Sequence, residues 1–198
     1  MIEFIKISSD APYERFVFLY EKAVKNRQHA PDAVCISSYD EKLKQPDARY
    51  VNLKYIVNNQ WIFFSNYEGP KSEQFELIEN ISATFYWPKI DVQIRIKGKI
   101  KKTNKDISDK HFKSRNRGKN ALAISSNQSK PIDSFDEVIS KYEDVLNSTK
   151  IFSRPNYWGG YSFKPFYFEF WEGNENRLNK RESFILKNGD WISSILQP

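Results

Sequence analysis

Asp91-Val92-Gln93-Ile94-Arg95-Ile96-Lys97-Gly98-Lys99-Ile100 alternates polar and apolar side chains almost residue by residue. Successive side chains of a β-strand point to opposite faces. Val92, Ile94, Ile96 and Ile100 therefore share one face, and Asp91, Gln93, Arg95, Lys97 and Lys99 share the other. A strand of this kind fits an antiparallel sheet with a core on one side and water on the other. Upstream lie further short β-rich runs at 33–38, 49–57, 61–65 and 81–87, broken by Asp40–Asp47, Asn58-Asn59 and Gly69-Pro70. Downstream, 160–171, 181–187 and 190–196 read as strands, the last two joined across Asn188-Gly189, a type I′ hairpin signal.

Helices flank the strands. Pro12 follows Asp10, and Phe16, Leu19, Tyr20, Ala23 and Val24 recur at helical spacing, which predicts an amphipathic helix over 12–28. Pro70 suits the first turn of a helix running to about Glu79. Two more helical segments lie near 105–116 and 134–147. In the second, Ser134 and Glu137 form a capping box and Phe135, Val138, Ile139, Tyr142 and Leu146 an apolar stripe. Many short strands with a few peripheral helices predict a mainly β, α+β fold, an antiparallel barrel. The 198 residues fit one domain. Residues 1–29 then form an N-terminal helical segment packed on it.

Composition narrows the function classes. Aromatic residues make up 16% of the chain although its mean hydropathy is −0.69, so apolar material is concentrated in rings that suit strands and flat ligands. With two histidines and one cysteine, a nitrogen- or sulfur-ligated metal site lacks ligands, and no metal is expected. Cys35, in the apolar run 33–36, reads as a buried thiol in a cytoplasmic protein. No run has the length of a membrane span, and no membrane partner is expected. A net charge of +6 suits an anionic partner without choosing it. Basic residues are not interleaved with aromatics in any nucleic-acid-binding module, so no nucleic acid is expected. The cluster Lys97, Lys99, Lys101, Lys102 and Lys105 reads as a solvated sheet edge.

The most specific stretch is Trp158-Gly159-Gly160-Tyr161, then Pro165, Glu169-Phe170-Trp171-Glu172-Gly173 and Arg177-Leu178-Asn179-Lys180-Arg181. It resembles the WGG, EFWQG and RLHDR series of the pyridoxine (pyridoxamine) 5′-phosphate oxidase family. The resemblance covers about residues 30–198. Arg49-Tyr50-Val51-Asn52-Leu53-Lys54 resembles the family's RxVLLK strand, Phe63-Phe64-Ser65-Asn66 its FYTN segment, and Gly69-Pro70-Lys71 its S-R-K phosphate site. Gln93 falls in its RQV strand, Lys110-His111-Phe112-Lys113-Ser114-Arg115 matches KYFxSR, and Gln128-Ser129 matches KQSS.

The resemblance implies a homodimeric split β-barrel that binds flavin mononucleotide (FMN) and oxidises a small phosphorylated substrate. That substrate is pyridoxine or pyridoxamine 5′-phosphate, converted to pyridoxal 5′-phosphate with O2 as acceptor. It assigns cofactor binding to Arg49, Lys54, Phe64, Ser65, Lys71, Gln93, Gln128, Ser129, Trp171 and Arg181, with Gln93 from one subunit and Trp171 and Arg181 from the other. Substrate binding falls to Lys54, His111, Arg115, Lys119, Arg177 and Asn179, and catalysis to Arg177 and Asn179. Independently, a flavin phosphate needs convergent cations and donors, which Arg49, Lys71, Ser65 and Ser129 can supply.

Several positions depart from the family. Pro70 stands where arginine is usual, His111 for tyrosine, Lys119 for serine, Asn179 for histidine and Lys180 for aspartate. Two alternatives stay open: a related FMN-dependent enzyme of the phenazine-pathway kind acting on another substrate, and a flavin- or pyridoxal phosphate-binding protein without turnover. On spacing alone Trp158, Phe170 and Trp171 read as core, a reading that the motif match reverses for Trp171 only, and His111 reads as readily solvent-exposed as functional. Arg49 and Lys54, five positions apart, point to opposite faces of a regular strand unless a bulge or twist intervenes.

Overall fold

The computed structural model describes residues 1–198. Its strands are β1 (Glu3–Ile5), β2 (Ala33–Asp40), β3 (Gln45–Val57), β4 (Gln60–Asn66), β5 (Asn80–Trp87), β6 (Val92–Lys102), β7 (Trp158–Glu172), β8 (Lys180–Lys187) and β9 (Asp190–Leu196). Its helices are α1 (Ala11–Lys25), α2 (Pro70–Leu77), α3 (Lys105–Ser114), α4 (Arg117–Ser125) and α5 (Phe135–Leu146), with a 3-10 turn at Thr149–Phe152.

Antiparallel pairing runs from β3 through β2, β5 and β6 to β7, while β4 pairs with both β3 and β7. Those strands close a ring on themselves. β8 and β9 extend the sheet from β7, and β1 adds a short parallel strand to β3. The alternation of 91–100 is realised, since Val92, Ile94, Ile96 and Ile100 are all buried in the core inside the ring. β6 is paired on both sides, which corrects the reading of its lysines as an edge: Lys97, Lys99 and Lys101 stand on the outer face of an interior strand.

Aromatic rings fill the core. Phe16 of α1 packs edge-on to Trp61 at 4.4 Å and near Phe85 at 5.3 Å, and α1 thereby closes one end of the ring. Burying a phenylalanine completely stabilises by about 1.5–3 kcal/mol, enough to anchor a helix whose exposed face is charged. α1 stops at Lys25, earlier than its periodicity suggests. Arg27 turns left-handed (φ 55°), and Gln28 N–H reaches back to Ala23 O at 2.9 Å.

The 105–116 segment also ends early, at Ser114, because Arg115 turns extended. The side chain of Asn116 then accepts from Lys119 N–H at 2.9 Å and starts α4, a helix without a counterpart in the sequence pattern. In α5, Ser134 Oγ accepts from Glu137 N–H at 3.1 Å, as its capping motif suggests. Its apolar stripe makes no core, however: no α5 residue is buried, and Phe135 is 76% exposed.

Candidate functional site

A cavity of about 970 Å³ opens between β3, β4, the start of α2, the α3–α4 corner, the 128–129 loop and Trp158 of β7. Arg49, Lys54, Lys71, Arg115 and Lys119 line it, and Asp47 is the one acidic residue that does. That size and lining suit a phosphorylated organic ligand.

The cations fall into two groups. Arg49 donates to Ser38 Oγ at 2.6 Å and Gln74 Oε1 at 3.0 Å and pairs with Asp47. Lys71, brought in by the first turn of α2, is only 7% exposed and makes no ion pair. Its Nζ donates to Gln128 Oε1 at 2.7 Å, an atom that also accepts from Ser65 Oγ at 3.3 Å. Burial, then the adjacent Arg49, pull the Lys71 ammonium down to about 8. The charge of Asp47, itself paired with Arg49, opposes that shift only in part, and an enclosed cation without an ion-pair partner favours an arriving anion.

The second group surrounds α3 and the start of α4. Lys54 Nζ reaches Asp32 at 2.8 Å. Arg115 lies over Trp158 at 4.3 Å and donates through Nη2 to Lys119 O at 2.8 Å, while its buried Nη1 has no partner. Burial draws Arg115 down to about 10. His111 stacks on Phe64 at 3.7 Å and 10°, parallel to Trp158, and its Nδ1 meets Tyr55 Oη at 2.7 Å. Burial first, and then Arg115, Lys54 and Lys119, push His111 down to about 4. A neutral imidazole so held keeps one nitrogen for Tyr55 and one for the cavity. Gly160 leaves room for this stack, since a Cβ there would stand 3.0 Å from the Phe64 ring and 2.6 Å from Thr103 Oγ1.

Ten of the residues singled out from the sequence thus line one cavity: Arg49, Lys54, Phe64, Ser65, Lys71, His111, Arg115, Lys119, Gln128 and Ser129. Arg49 and Lys54 meet there because β3 is irregular. Its register against β4 shifts between Leu53 and Tyr55, and both Leu53 and Ile56 are fully buried, which breaks the two-residue period. His111 belongs to the cavity wall rather than to solvent. Trp158, read as core from its spacing, is buried and also forms that wall. Tyr55 is a supporting residue that the sequence reading misses; its only signal is its place beside Lys54 at the end of the motif strand.

The remaining five lie elsewhere. Gln93 is opposite Trp171, and Trp171 opposite Arg181, so the three form one cross-strand row over β6, β7 and β8. Within one chain Gln93 is thus the direct neighbour of Trp171, whereas the resemblance draws Gln93 from one subunit and Trp171 and Arg181 from the other. Arg177, left-handed at φ 59°, and Asn179 sit in the β7–β8 loop, outside the cavity lining. Asn179 Oδ1 accepts from Asn174 N–H at 3.1 Å and closes that loop.

Known proteins resemble the chain along nearly its whole length. The family described as "Pyridoxamine 5'-phosphate oxidase" matches residues 20–148, and "Pyridoxine 5'-phosphate oxidase C-terminal dimerisation region" matches 158–198. A pyridoxine/pyridoxamine 5'-phosphate oxidase of Leptospira biflexa is 36% identical over 189 residues, covering 94% of this chain and 89% of the relative. One from Legionella pneumophila is 34% identical over 193 residues, with 94% and 87% covered. Among solved structures, PhzG from Burkholderia lata in complex with tetrahydrophenazine-1-carboxylic acid superposes with TM-score 0.90 at 22% identity, over 96% of this chain and 94% of that one. A pyridoxamine 5'-phosphate oxidase-related, FMN-binding protein from Nostoc punctiforme gives 0.78 at 13% identity, over 96% and 99%. At these identities the two structures speak for the fold alone.

Proposed function

Because the chain belongs to the pyridoxine/pyridoxamine 5′-phosphate oxidase family, a family of FMN-dependent oxidoreductases, we propose that it is an FMN-dependent oxidase of pyridoxine or pyridoxamine 5′-phosphate. The product is pyridoxal 5′-phosphate and O2 is the acceptor. The observation that carries this reading is the pairing, in one cavity, of a buried cation without an ion-pair partner, Lys71, with a buried guanidinium nitrogen lacking any partner, on Arg115. Two such deficits match two phosphates, one on the cofactor and one on the substrate.

The residues fit FMN. Arg49, Lys71, Ser65, Gln128 and Ser129 would hold its phosphate, and Lys54, His111, Arg115 and Lys119 the substrate's. We read the ring of strands as the split barrel of one single-domain subunit in a homodimer. The row Gln93, Trp171 and Arg181 then closes the cofactor site of the second copy, and Arg177 and Asn179 arrive with it over the reacting carbon. Bound FMN supplies the hydride acceptor, and the chain's own residues orient the substrate, exclude water and charge the site. Trp171 offers a flat apolar surface and Arg181 unused donors, while Phe64, His111 and Trp158 wall the substrate side with stacked rings.

Asn179 favours keeping a second reading, oxidation of another substrate on the same FMN cradle. An asparagine can hydrogen-bond but cannot carry a proton, and its oxygen is already engaged within the loop. Anaerobic addition of pyridoxamine 5′-phosphate to the FMN-loaded protein separates the two. Bleaching of the flavin absorbance near family rates supports the B6 substrate. An oxidised spectrum that only shifts on addition supports the second reading.

A further inference from the structure

Glu169 is 3% exposed, yet it lies on the outer, polar face of the sheet, two residues before Trp171. Its carboxylate takes donors from both neighbouring strands and its own. Arg181 donates through Nε at 3.2 Å and Nη2 at 2.8 Å to Oε1. Arg95 donates to Oε2 at 3.0 Å, and Tyr167 Oη donates to the same oxygen at 2.8 Å. Burial pushes this carboxyl upward, but the hydrogen bonds of Arg181 and Tyr167 and the charge of Arg95 outweigh it and hold it below the usual glutamate range.

Arg181 is thereby fixed in plane. Of the five N–H groups of a guanidinium, two are on Glu169 and one on Gln197 O at 3.0 Å. One on each terminal nitrogen remains. A long side chain at 28% exposure would otherwise sample many rotamers, and freezing them on binding weakens affinity.

We propose that Glu169 is a positioning residue for cofactor binding: from the outer face of the sheet it locks the Arg181 guanidinium, edge outward, beside Trp171. This rests on the reading that the Gln93–Trp171–Arg181 row contacts FMN, and it goes beyond it by assigning the row's rigidity to one buried carboxylate. Glu169 is buried and both its oxygens are taken by Arg181, Arg95 and Tyr167. An effect on FMN that passes through Arg181, and disappears with it, distinguishes positioning from the general support of the sheet that the Arg95 and Tyr167 bonds also give.

The test is a double-mutant cycle on the full chain, read as the FMN dissociation constant from quenching of flavin fluorescence, with dimerisation followed by sedimentation. Glu169→Gln is expected to weaken FMN roughly tenfold in the parent background and to change little once Arg181→Ala is present. Should Glu169→Gln fold poorly, Glu169→Asp keeps the charge and withdraws it from Arg181, and the same loss of additivity is expected. Equal weakening in both backgrounds, or no weakening in the parent, would overturn the proposal. If the unmodified protein itself fails to bind FMN, the cofactor reading fails instead, and the two outcomes are distinct.

Discussion

Lys71 is held among protein atoms with only a neutral amide oxygen against its ammonium, and two consequences oppose each other. Lys71→Met should raise the thermal midpoint of the FMN-free protein, because it removes an uncompensated buried charge. It should also weaken FMN about 10- to 100-fold, the worth of one charge-assisted contact of about 1.5–3 kcal/mol. The pH dependence has a definite sign. With the folded lysine titrating near 8, below its ordinary value of 10.5, the native state binds fewer protons than the unfolded chain between those limits. The FMN-free protein therefore gains stability as pH rises through that window. FMN requires the charged form, so its affinity should fall as pH climbs above 8, and Lys71→Arg should flatten that fall in fluorescence titrations. His111, depressed to about 4 from 6.5, gives a second window. Between those values the unfolded chain takes up a proton that the folded one refuses, so stability declines as pH drops from 6.5 towards 4. Thermal scans across that range should show a shallower decline for His111→Gln.

At the scale of elements, the hairpin β8–β9 gives the cleanest match between residues and backbone. Asn188 and Gly189 both adopt positive φ, 54° and 97°, as a type I′ turn requires. A Cβ on Gly189 would meet nothing within 4 Å, so Gly189→Ala carries only the backbone cost. Urea unfolding should report a loss of roughly 1 kcal/mol with an unchanged slope. Strands of this kind were legible because one buried face enforces a strict two-residue period, as at Val92, Ile94 and Ile96. α4 was not legible, since Gly118 weakens helix propensity and its start depends on the Asn116 cap, seen only once Arg115 turns extended. β1 was hidden because three residues added in parallel to β3 carry too little pattern. α5 was legible as a helix, but its stripe misled about burial: periodicity tells which residues share a face, not what covers that face. The site followed the same rule. Short motifs located Lys71, Arg115 and Gln128 in one cavity, whereas the break in β3 that brings Arg49 and Lys54 together depends on pairing with β4.

For the whole molecule, the proposed function divides the site into two parts of one subunit. The cavity cations form one part, and the Gln93–Trp171–Arg181 row the other, with Trp171 and Arg181 on strands matched by a dimerisation region and Gln93 on the neighbouring β6. In the proposed dimer the cavity of one copy faces the partner's row, and two-fold symmetry then makes the same contact twice, giving two equal sites. No helix of the chain is long and apolar enough to cross a membrane. Subunit mixing tests this composite site most directly. Lys71→Ala disables the cavity and Arg181→Ala disables the row, and each variant alone should bind FMN weakly. After unfolding and refolding of an equimolar mixture, random pairing makes about half the dimers mixed, and each mixed dimer has one intact site. We expect about a quarter of the sites to regain parental FMN affinity. If the mixture binds no better than the two variants measured separately, cavity and row do not meet across a dimer, and the account fails.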